Sequence, residues 1–334
     1  MHPFLFPFAD ADRWLSFLQH SLQWDESDLV RARRLLQIKV VPLSKGTEIA
    51  AYLGISPKLV GHMAVKPEKY YRSFRIPKKN GKFREITAPR VFLKTVQRYI
   101  LDCILSPLEI HYSAVGFRRK VSTGDGAARH VGRKFIWNID LCDFFPSIQK
   151  KTVTMLFEQI GFTQAASYFL SGLCCYQERL PQGAPTSPAI SNLLFFSWDE
   201  KIFKEAEKHS IVYTRYADDL SFSSNSPIPP EFRAFIAELI KSAGFKINPK
   251  KERLMGPLCR REITGLTVNS KVSIPRPIRK KLRARFHKVS LNPAGFVKER
   301  EVLLGYANWV SQYHQRDGEN YREIVASIPT GAGE

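Results

Sequence analysis

An α+β fold is expected from three features of this sequence. Two β-rich runs, Ile211–Tyr216 and Leu220–Ser223, flank the adjacent carboxylates Asp218 and Asp219 and read as a hairpin. A second apolar run, Lys134–Asp140, ends in another carboxylate and is stopped by Leu141-Cys-Asp-Phe-Phe-Pro146. Apolar residues at helical spacing lie on either side of both, over 11–41, 91–101 and 278–313. Side chains alternate along a strand, so a tight turn at 217–219 carries at least Asp218 to the hairpin tip, beside the neighbouring strand that Asp140 ends.

From the start of the chain, Met1-His-Pro-Phe-Leu-Phe-Pro-Phe8 lacks a basic n-region and runs into Asp10 and Asp12, so no signal peptide is expected. Trp14, Leu15, Leu18, Leu22, Leu29, Leu35 and Leu36 make one or two amphipathic helices ending near Pro42. Thr47–Val60 sets Gly54 between two short helical patterns, with Ser56 as N-cap and Pro57 at the first helical position. This mimics a DNA-binding helix-turn-helix. The second helix, however, offers only Lys58 and His62 before Pro67, which favours a helical hairpin packed under the next segment.

Lys66–Arg84 holds eight Lys/Arg against one acidic residue, interleaved with Tyr70, Tyr71, Phe74 and Phe83. Asn80-Gly81 closes it as a basic hairpin able to fold over a triphosphate. Val91–Leu101 is an amphipathic packing helix, and Gly116–Gly132, with Arg118, Arg119, Lys120 and Arg129, reads as a flexible basic loop that could follow a phosphate backbone. Leu180-Pro-Gln-Gly183 is a turn, after which Ser187-Pro188 caps a long amphipathic helix carrying Leu193, Leu194, Phe196, Ile202 and Phe203. Finally, Lys271–Lys288 has eight Lys/Arg and no acid, with a stripe of Ile278, Leu282, Phe286 and Val289, and a second stripe runs from Val302 to Tyr313. Two helices are expected there, presenting a charged face with Arg279 and Arg283 to a duplex or folded RNA. Thr330–Glu334 reads as a frayed tail.

Of the 334 residues 51 are Lys or Arg and 31 Asp or Glu, a net charge of +20 that attracts a polyanion by counterion release. No stretch approaches the roughly 18–20 apolar residues that span a bilayer, so a cytosolic protein with no membrane partner is expected. The five cysteines form neither a paired framework nor a metal-spaced cluster. Three carboxylates beside a polyanion suit two Mg2+ ions that bridge a nucleotide's phosphates and an attacking hydroxyl.

An isolated Asp-Asp pair is more often a polar turn. Here Tyr213-Thr-Arg-Tyr-Ala-Asp-Asp219 follows Asp140-Leu-Cys-Asp-Phe-Phe145, Leu180-Pro-Gln-Gly-Ala-Pro-Thr-Ser-Pro188 and Tyr71-Arg-Ser-Phe-Arg-Ile-Pro-Lys-Lys-Asn-Gly81. Together these resemble the retron branch of bacterial reverse transcriptases, from about Lys45 to the C-terminus. The resemblance implies a right-hand polymerase: helices over 1–65, fingers over 66–133, a palm with a ferredoxin-like α/β sheet over 134–269, and a small α-helical thumb over 270–334.

It implies site residues as well. Asp140, Asp218 and Asp219 would hold the two Mg2+ ions, Asp219 more weakly. Arg84, and secondarily Lys79, would contact the triphosphate, with Asp143 near the triphosphate or sugar. Phe145 would be the gate against a ribose 2′-OH, or else core, since Phe144 and Phe145 must point differently. Gln182 would touch nucleotide and template, Tyr216 would support the primer end, and Lys251 would protonate pyrophosphate. Ile263-Thr264-Gly265 resembles the primer grip. Gly126-Ala-Ala-Arg-His130 stands where retron enzymes carry Asn-Ala-x-x-His, which makes His130 an RNA-binding candidate and glycine 126 a departure.

The activity implied is RNA-templated DNA synthesis from dNTPs. The template would be a cognate structured non-coding RNA, primed from an internal guanosine 2′-OH to give a branched RNA–DNA product. An effector protein in anti-phage defence is implied too, and a host RNase H, because the chain leaves no room after the thumb for a nuclease domain. Two rival readings remain: another stand-alone bacterial reverse transcriptase, group II intron-like or defence-associated, and a non-catalytic RNA-binding protein.

Overall fold

The computed structural model describes residues 11–77, 81 and 83–330, so the expectations for the N-terminal octapeptide, for Lys79 and Asn80 and for residues 331–334 lie outside the described residues. The first helices, α1 (Ala11–Ser21) and α2 (Glu26–Gln37), follow the apolar stripe read from the sequence. α3 (Ile49–Leu53) ends at Gly54, whose φ of 64° is the left-handed conformation that glycine adopts most readily, and Pro57 opens α4 (Pro57–Val65). The basic hairpin pairs β1 (Tyr71–Pro77) with β2 (Phe83–Pro89), antiparallel, and α5 (Val91–Ile100) follows it.

The expected flexible loop at 116–132 is more ordered than its glycines suggest. Its centre is a short helix, α6 (Thr123–Ala128), closed by a reciprocal cap: Asp125 N–H donates to Ser122 Oγ at 3.2 Å, and Ser122 N–H to Asp125 Oδ2 at 2.7 Å.

The central sheet contains β3 (Phe135–Asp140), then, after α7 (Phe144–Ser147), α8 (Lys150–Ile160), α9 (Gln164–Cys174), α10 (Ser187–Leu194) and α11 (Phe196–Lys208), the hairpin β4 (Val212–Tyr216) and β5 (Asp219–Ser224). α12 (Pro230–Ser242) leads to β6 (Arg253–Met255). The order is β4-β5-β3-β6 with every pairing antiparallel, the βαββαβ arrangement of a ferredoxin-like sheet. The long helix expected after Pro188 is broken at Phe195 into α10 and α11. Ser187 is the first residue of α10 rather than its cap, and its hydroxyl donates to the Pro181 carbonyl at 2.8 Å, pinning the Leu180–Gly183 turn.

A small hairpin, β7 (Glu262–Ile263) and β8 (Leu266–Thr267), precedes α13 (Arg276–Leu291), α14 (Arg300–Ser311) and α15 (Gln315–Ala326). The sequence leads one to expect two terminal helices, and there are three. The third, α15, is polar apart from a few residues and owes its place to packing, with Tyr321 stacked on Phe286 at 4.0 Å between ring centroids.

Four larger apolar clusters hold these elements. One joins α2–α5 to α8–α10 through Leu35, Val60, Leu93, Val153, Leu170 and Ile190. A second lies behind the sheet (Trp137, Leu220, Phe222, Ile236), and a small one unites α1 and α2. The last packs α13–α15 together with Ala127 and Ile136, so the C-terminal helices share a core with α6 and β3. Among the described residues no helix is long and apolar enough to cross a membrane.

Candidate active site

Pairing brings the acidic residues together. Asp140 is the last residue of β3 and lies opposite Asp219, the first of β5, while Tyr216 pairs with Asp219 across the two-residue turn Ala217–Asp218. The turn is tight enough to hold non-glycine Ala217 at φ 55°, a conformation that persists only where its surroundings impose it. Asp140 is buried, Asp218 half-buried and Asp219 exposed along the cleft.

Lys251 Nζ donates to both oxygens of Asp140, at 2.7 and 2.6 Å. Burial works against its ammonium, but the hydrogen bond and charge of Asp140, then the charges of Asp218 and Asp219, hold its pKa above the ordinary lysine value. Both aspartates of the turn are shifted upward. For Asp218 the causes are burial and then the charge of Asp140, partly offset by Lys251 and Arg84; for Asp219, exposed as a residue but with its carboxyl crowded by the cleft, they are that desolvation and then the charges of Asp218 and Asp140.

Two cavities meet at this cluster. One, of about 280 Å³, is lined by Asp140 and Asp218 with Arg84, Asp143, Phe145 and Gln182. The other, of about 450 Å³, is lined by Asp140 and Asp219 with Tyr216, Thr264, Gly265 and Asn138. Lys251 borders both. The structure therefore divides the sequence-derived residues into two groups, with Asp218 facing one and Asp219 the other.

Local folding explains several placements. Asp143 sits at φ 43°, ψ 44°, a sparsely populated conformation for aspartate, at the start of α7. Both Phe144 and Phe145 border the smaller cavity; Phe144 is buried in the core behind the sheet, and Phe145 is half-buried and packs partly against that core as well. Thr87 N–H of β2 donates to the Gln182 carbonyl at 2.9 Å, tying the basic hairpin to the Leu180–Gly183 turn. Gly183 is at φ +135°, and a Cβ there would lie 2.9 Å from both Ile86 Cγ2 and the Thr87 carbonyl oxygen, so no larger residue permits this approach. Thr264 and Gly265, at φ 46° and 80°, form the two-residue turn of β7–β8 with both central residues left-handed, as a type I′ hairpin demands.

His130 requires a correction. It is wholly buried, its ring nitrogens each 2.7 Å from a hydroxyl, Nδ1 from Ser223 and Nε2 from Thr214, and it cannot touch RNA. It pins the segment after α6 to the sheet. Burial, with the charges of Arg129 and Arg133, lowers its pKa to about 3, so the ring is neutral. Glycine 126 has an equally local reason: a Cβ there would come within 2.7 Å of buried Val115 Cγ2. Arg279 and Arg283 both line a basic cleft of about 640 Å³ with Arg260, Arg276 and Lys280. Arg279 is partly committed, donating to Asp317 at 2.9 Å.

The support behind the turn is not among the residues expected from the sequence. Arg215 is wholly buried and donates from Nε and Nη2 to the two oxygens of Asp199 at 2.8 and 2.6 Å, and from Nη1 to Asn192 Oδ1 at 3.1 Å and the Ala217 carbonyl at 3.2 Å. Tyr213 OH also donates to Asp199, at 2.7 Å. The left-handed residue beside Asp218 is thus braced from α10 and α11. The signal was present in the pattern, since Asp199 interrupts the apolar stripe of Phe195, Ile202 and Ala206 and Arg215 shares a strand face with Tyr213.

Among the described residues no group of three or more His, Cys, Asp or Glu side chains is placed to hold a metal ion. The donor set is nevertheless the all-oxygen kind that hard divalent cations take, opening on two cavities rather than enclosing one. By donor chemistry Asp140, Asp218 and Asp219 fit such an ion, in place of the Lys251 ammonium that now holds both oxygens of Asp140.

The family described as reverse transcriptase (RNA-dependent DNA polymerase), whose enzymes generally use divalent metal ions, matches residues 76–287. Among curated proteins, retron Ec86 reverse transcriptase of Escherichia coli is 36% identical over 262 residues, covering 77% of this chain and 80% of that protein. Retron Mx65 reverse transcriptase of Myxococcus xanthus is 34% identical over 303 residues, 84% of this chain and 71% of that one. Among solved structures, telomerase from Candida albicans in complex with a fragment of telomeric RNA is similar with a TM-score of 0.47 at 12% identity, covering 76% of this chain and 54% of that one.

Proposed function

This chain belongs to the reverse transcriptase family, and within it to the retron reverse transcriptases, and from that premise we propose that Asp140, Asp218 and Asp219 are its catalytic carboxylates. It is an RNA-directed DNA polymerase of a retron. The observation that carries the site assignment is the meeting of two cavities at Asp140, one walled by Arg84, Asp143, Phe145 and Gln182, the other by Tyr216, Thr264 and Gly265. The first takes the incoming dNTP and the second the primer end.

Asp140, Asp218 and Asp219 would hold two Mg2+ ions, which would supply a lowered pKa for the primer hydroxyl and charge neutralisation on the transferring phosphate. Everything else falls to the chain. Arg84 holds the triphosphate by charge, with Lys79 a secondary contact. Phe145 stands against the sugar, where a 2′-OH would collide with its ring, and Gln182 orients base and template. Lys251 is placed to deliver a proton to the leaving pyrophosphate. Tyr216 with Thr264 and Gly265 steadies the primer. Arg283, with whatever part of Arg279 its ion pair leaves free, contacts RNA phosphates along the basic cleft. The regions 1–65, 66–133, 134–269 and 270–334 act as helical base, fingers, palm and thumb.

The template in this reading is a cognate structured non-coding RNA, primed from a guanosine 2′-OH within it, and the product is a branched RNA–DNA hybrid. The work is done in the bacterial cytoplasm, with an effector protein in anti-phage defence and host RNase H for template removal. The test is to purify the protein from cells carrying its native locus, extract bound nucleic acid and treat it separately with RNase and DNase before sequencing. One short single-stranded DNA joined to one RNA by an RNase-resistant branch is expected. Heterogeneous RNA with no attached DNA would remove the branched product and leave a stand-alone polymerase.

A further inference from the structure

The cavity of about 450 Å³ beside the acidic cluster is short of positive charge for a site that holds a polyanion. Asp140, Asp219 and Glu262 line it, against Lys251 and Arg253. Most of these charges are already committed: Lys251 donates to both oxygens of Asp140, and Glu262 pairs with Arg260 at 2.7 Å. Arg253 is different. It is exposed, and among the described residues no hydrogen bond or ion pair engages its guanidinium.

Its position is set by the sheet. β6 is an edge strand paired to β3, with Arg253 opposite Asn138. Asn138 lies two residues before Asp140, and Lys251, two residues before Arg253, reaches Asp140, so Arg253 stands about 7 Å along the sheet from the acidic end. The direction is away from the incoming nucleotide: the smaller cavity, with Arg84 and Gln182, includes Asp140 and Lys251 but not Arg253. Arg253 shares the larger cavity with Tyr216 and the Thr264–Gly265 turn. Phosphates of one strand advance by roughly 3.4 Å of helix axis each, so 7 Å back from the reacting end falls at the second phosphate.

A guanidinium presents donors in a planar fork and no acceptor, so its partner is an anion that takes two parallel hydrogen bonds, a carboxylate or a phosphate. Asp140 and Glu262 are already paired and Asp219 stands at the catalytic end, so the anion for Arg253 comes from outside the chain.

We infer that Arg253 binds a backbone phosphate of the primer strand, one of the three nearest the 3′ end with the second favoured by the spacing, and holds that end in register over Asp140 and Asp219. The contact reads charge and position, not sugar or sequence. The inference rests on the polymerase reading of this site and adds a substrate-binding residue on β6, outside the carboxylates and the Thr264–Gly265 turn. A charge-assisted contact in an open cavity corresponds to about tenfold in affinity.

The experiment anneals one RNA template to DNA primers carrying a single uncharged methylphosphonate linkage at the first, second, third or sixth position from the 3′ end. Kd for each primer–template, and KM for dNTP, are measured for the full chain, for Arg253→Gln and for Arg253→Lys; an exposed residue on an edge strand can be exchanged without opening the core. In the unsubstituted chain one of the first three modified linkages should weaken binding about tenfold. Arg253→Gln should bind the unmodified primer about tenfold more weakly, with KM for dNTP held, and should be indifferent to that same linkage. Its slope of log Kd against log salt should fall by roughly one, and Arg253→Lys should recover part of each loss. Any penalty at the sixth linkage should be equal in all three proteins. If Arg253→Gln responds to each of the first three linkages as the unsubstituted chain does, the inference is overturned and the polymerase stands. If the unsubstituted chain extends none of the primers, the polymerase reading falls and takes the inference with it.

Discussion

Arg215 and Asp199 meet at 2.6 Å behind the palm sheet, and Lys251 and Asp140 meet at 2.6 Å in front of it. The rear pair is wholly buried, and its remaining hydrogen bonds go to Asn192, Tyr213 and the Ala217 carbonyl. The front pair joins a buried carboxylate to a lysine whose side chain is 55% exposed, at the junction of two cavities. Equal distance therefore says little about role. A desolvated, fully satisfied pair holds one geometry, because separating it leaves a bare charge in low dielectric. A pair open to water can exchange its partner, as a carboxylate that must accept a metal or a phosphate-bound ion requires.

The largest effect expected on this comparison is at the front. An Asp218→Ala/Asp219→Ala double variant should lose Mg2+-dependent dNTP incorporation by about a thousandfold or more, with unfolding temperature held or raised because like charges have been removed. Retained incorporation would end the assignment. Behind the sheet the loss should fall on stability: Asp199→Ala leaves Arg215 unpaired and should cost about 3–5 kcal/mol in denaturant unfolding, whereas the Asp199→Leu/Arg215→Met double change should cost less than the single one. A double change costing as much as the sum would show that the pair is not acting as a unit.

A third probe is pH. His130 has its folded pKa near 3, below the unfolded value of 6.5, so its contribution is intact above pH 6.5 and is lost as pH falls toward 3. By pH 5 the loss should reach about 2 kcal/mol. His130→Asn should flatten that slope between pH 6.5 and 5, and an unchanged slope would place the acid sensitivity elsewhere. The smallest effect is expected from Lys251→Met, which should change stability by less than about 1 kcal/mol because the lysine is half exposed, while kcat falls. A large drop in unfolding free energy would make the front pair structural like the rear one.

Much of this site was legible in the chain alone. Asp140, Asp218 and Asp219 announce themselves because a period of two and a two-residue turn fix which side chains a hairpin presents, whatever surrounds it. Phe144 and Phe145 are adjacent in a short helix and so point in different directions, but the sequence does not say which is the more buried. α6 was misread because Gly124, Asp125 and Gly126 are loop-forming residues in isolation, and its helix depends on the Ser122–Asp125 cap and on contact with Val115. His130 was misread for a related reason: a histidine among arginines looks like a nucleic-acid contact until Thr214 and Ser223, more than eighty residues away, supply its hydrogen bonds.

The sequence by itself determined the strands, their acidic ends, the glycine-dependent turns and the basic surface, all of which follow from short-range sterics, periodicity and charge. Only the tertiary structure decided that Arg215 braces the Ala217 turn, that His130 is sealed away, and that Arg253 stands beside the acidic cluster with its guanidinium unengaged. Whether a polar group is satisfied depends on partners brought together from distant segments, and no local pattern records them.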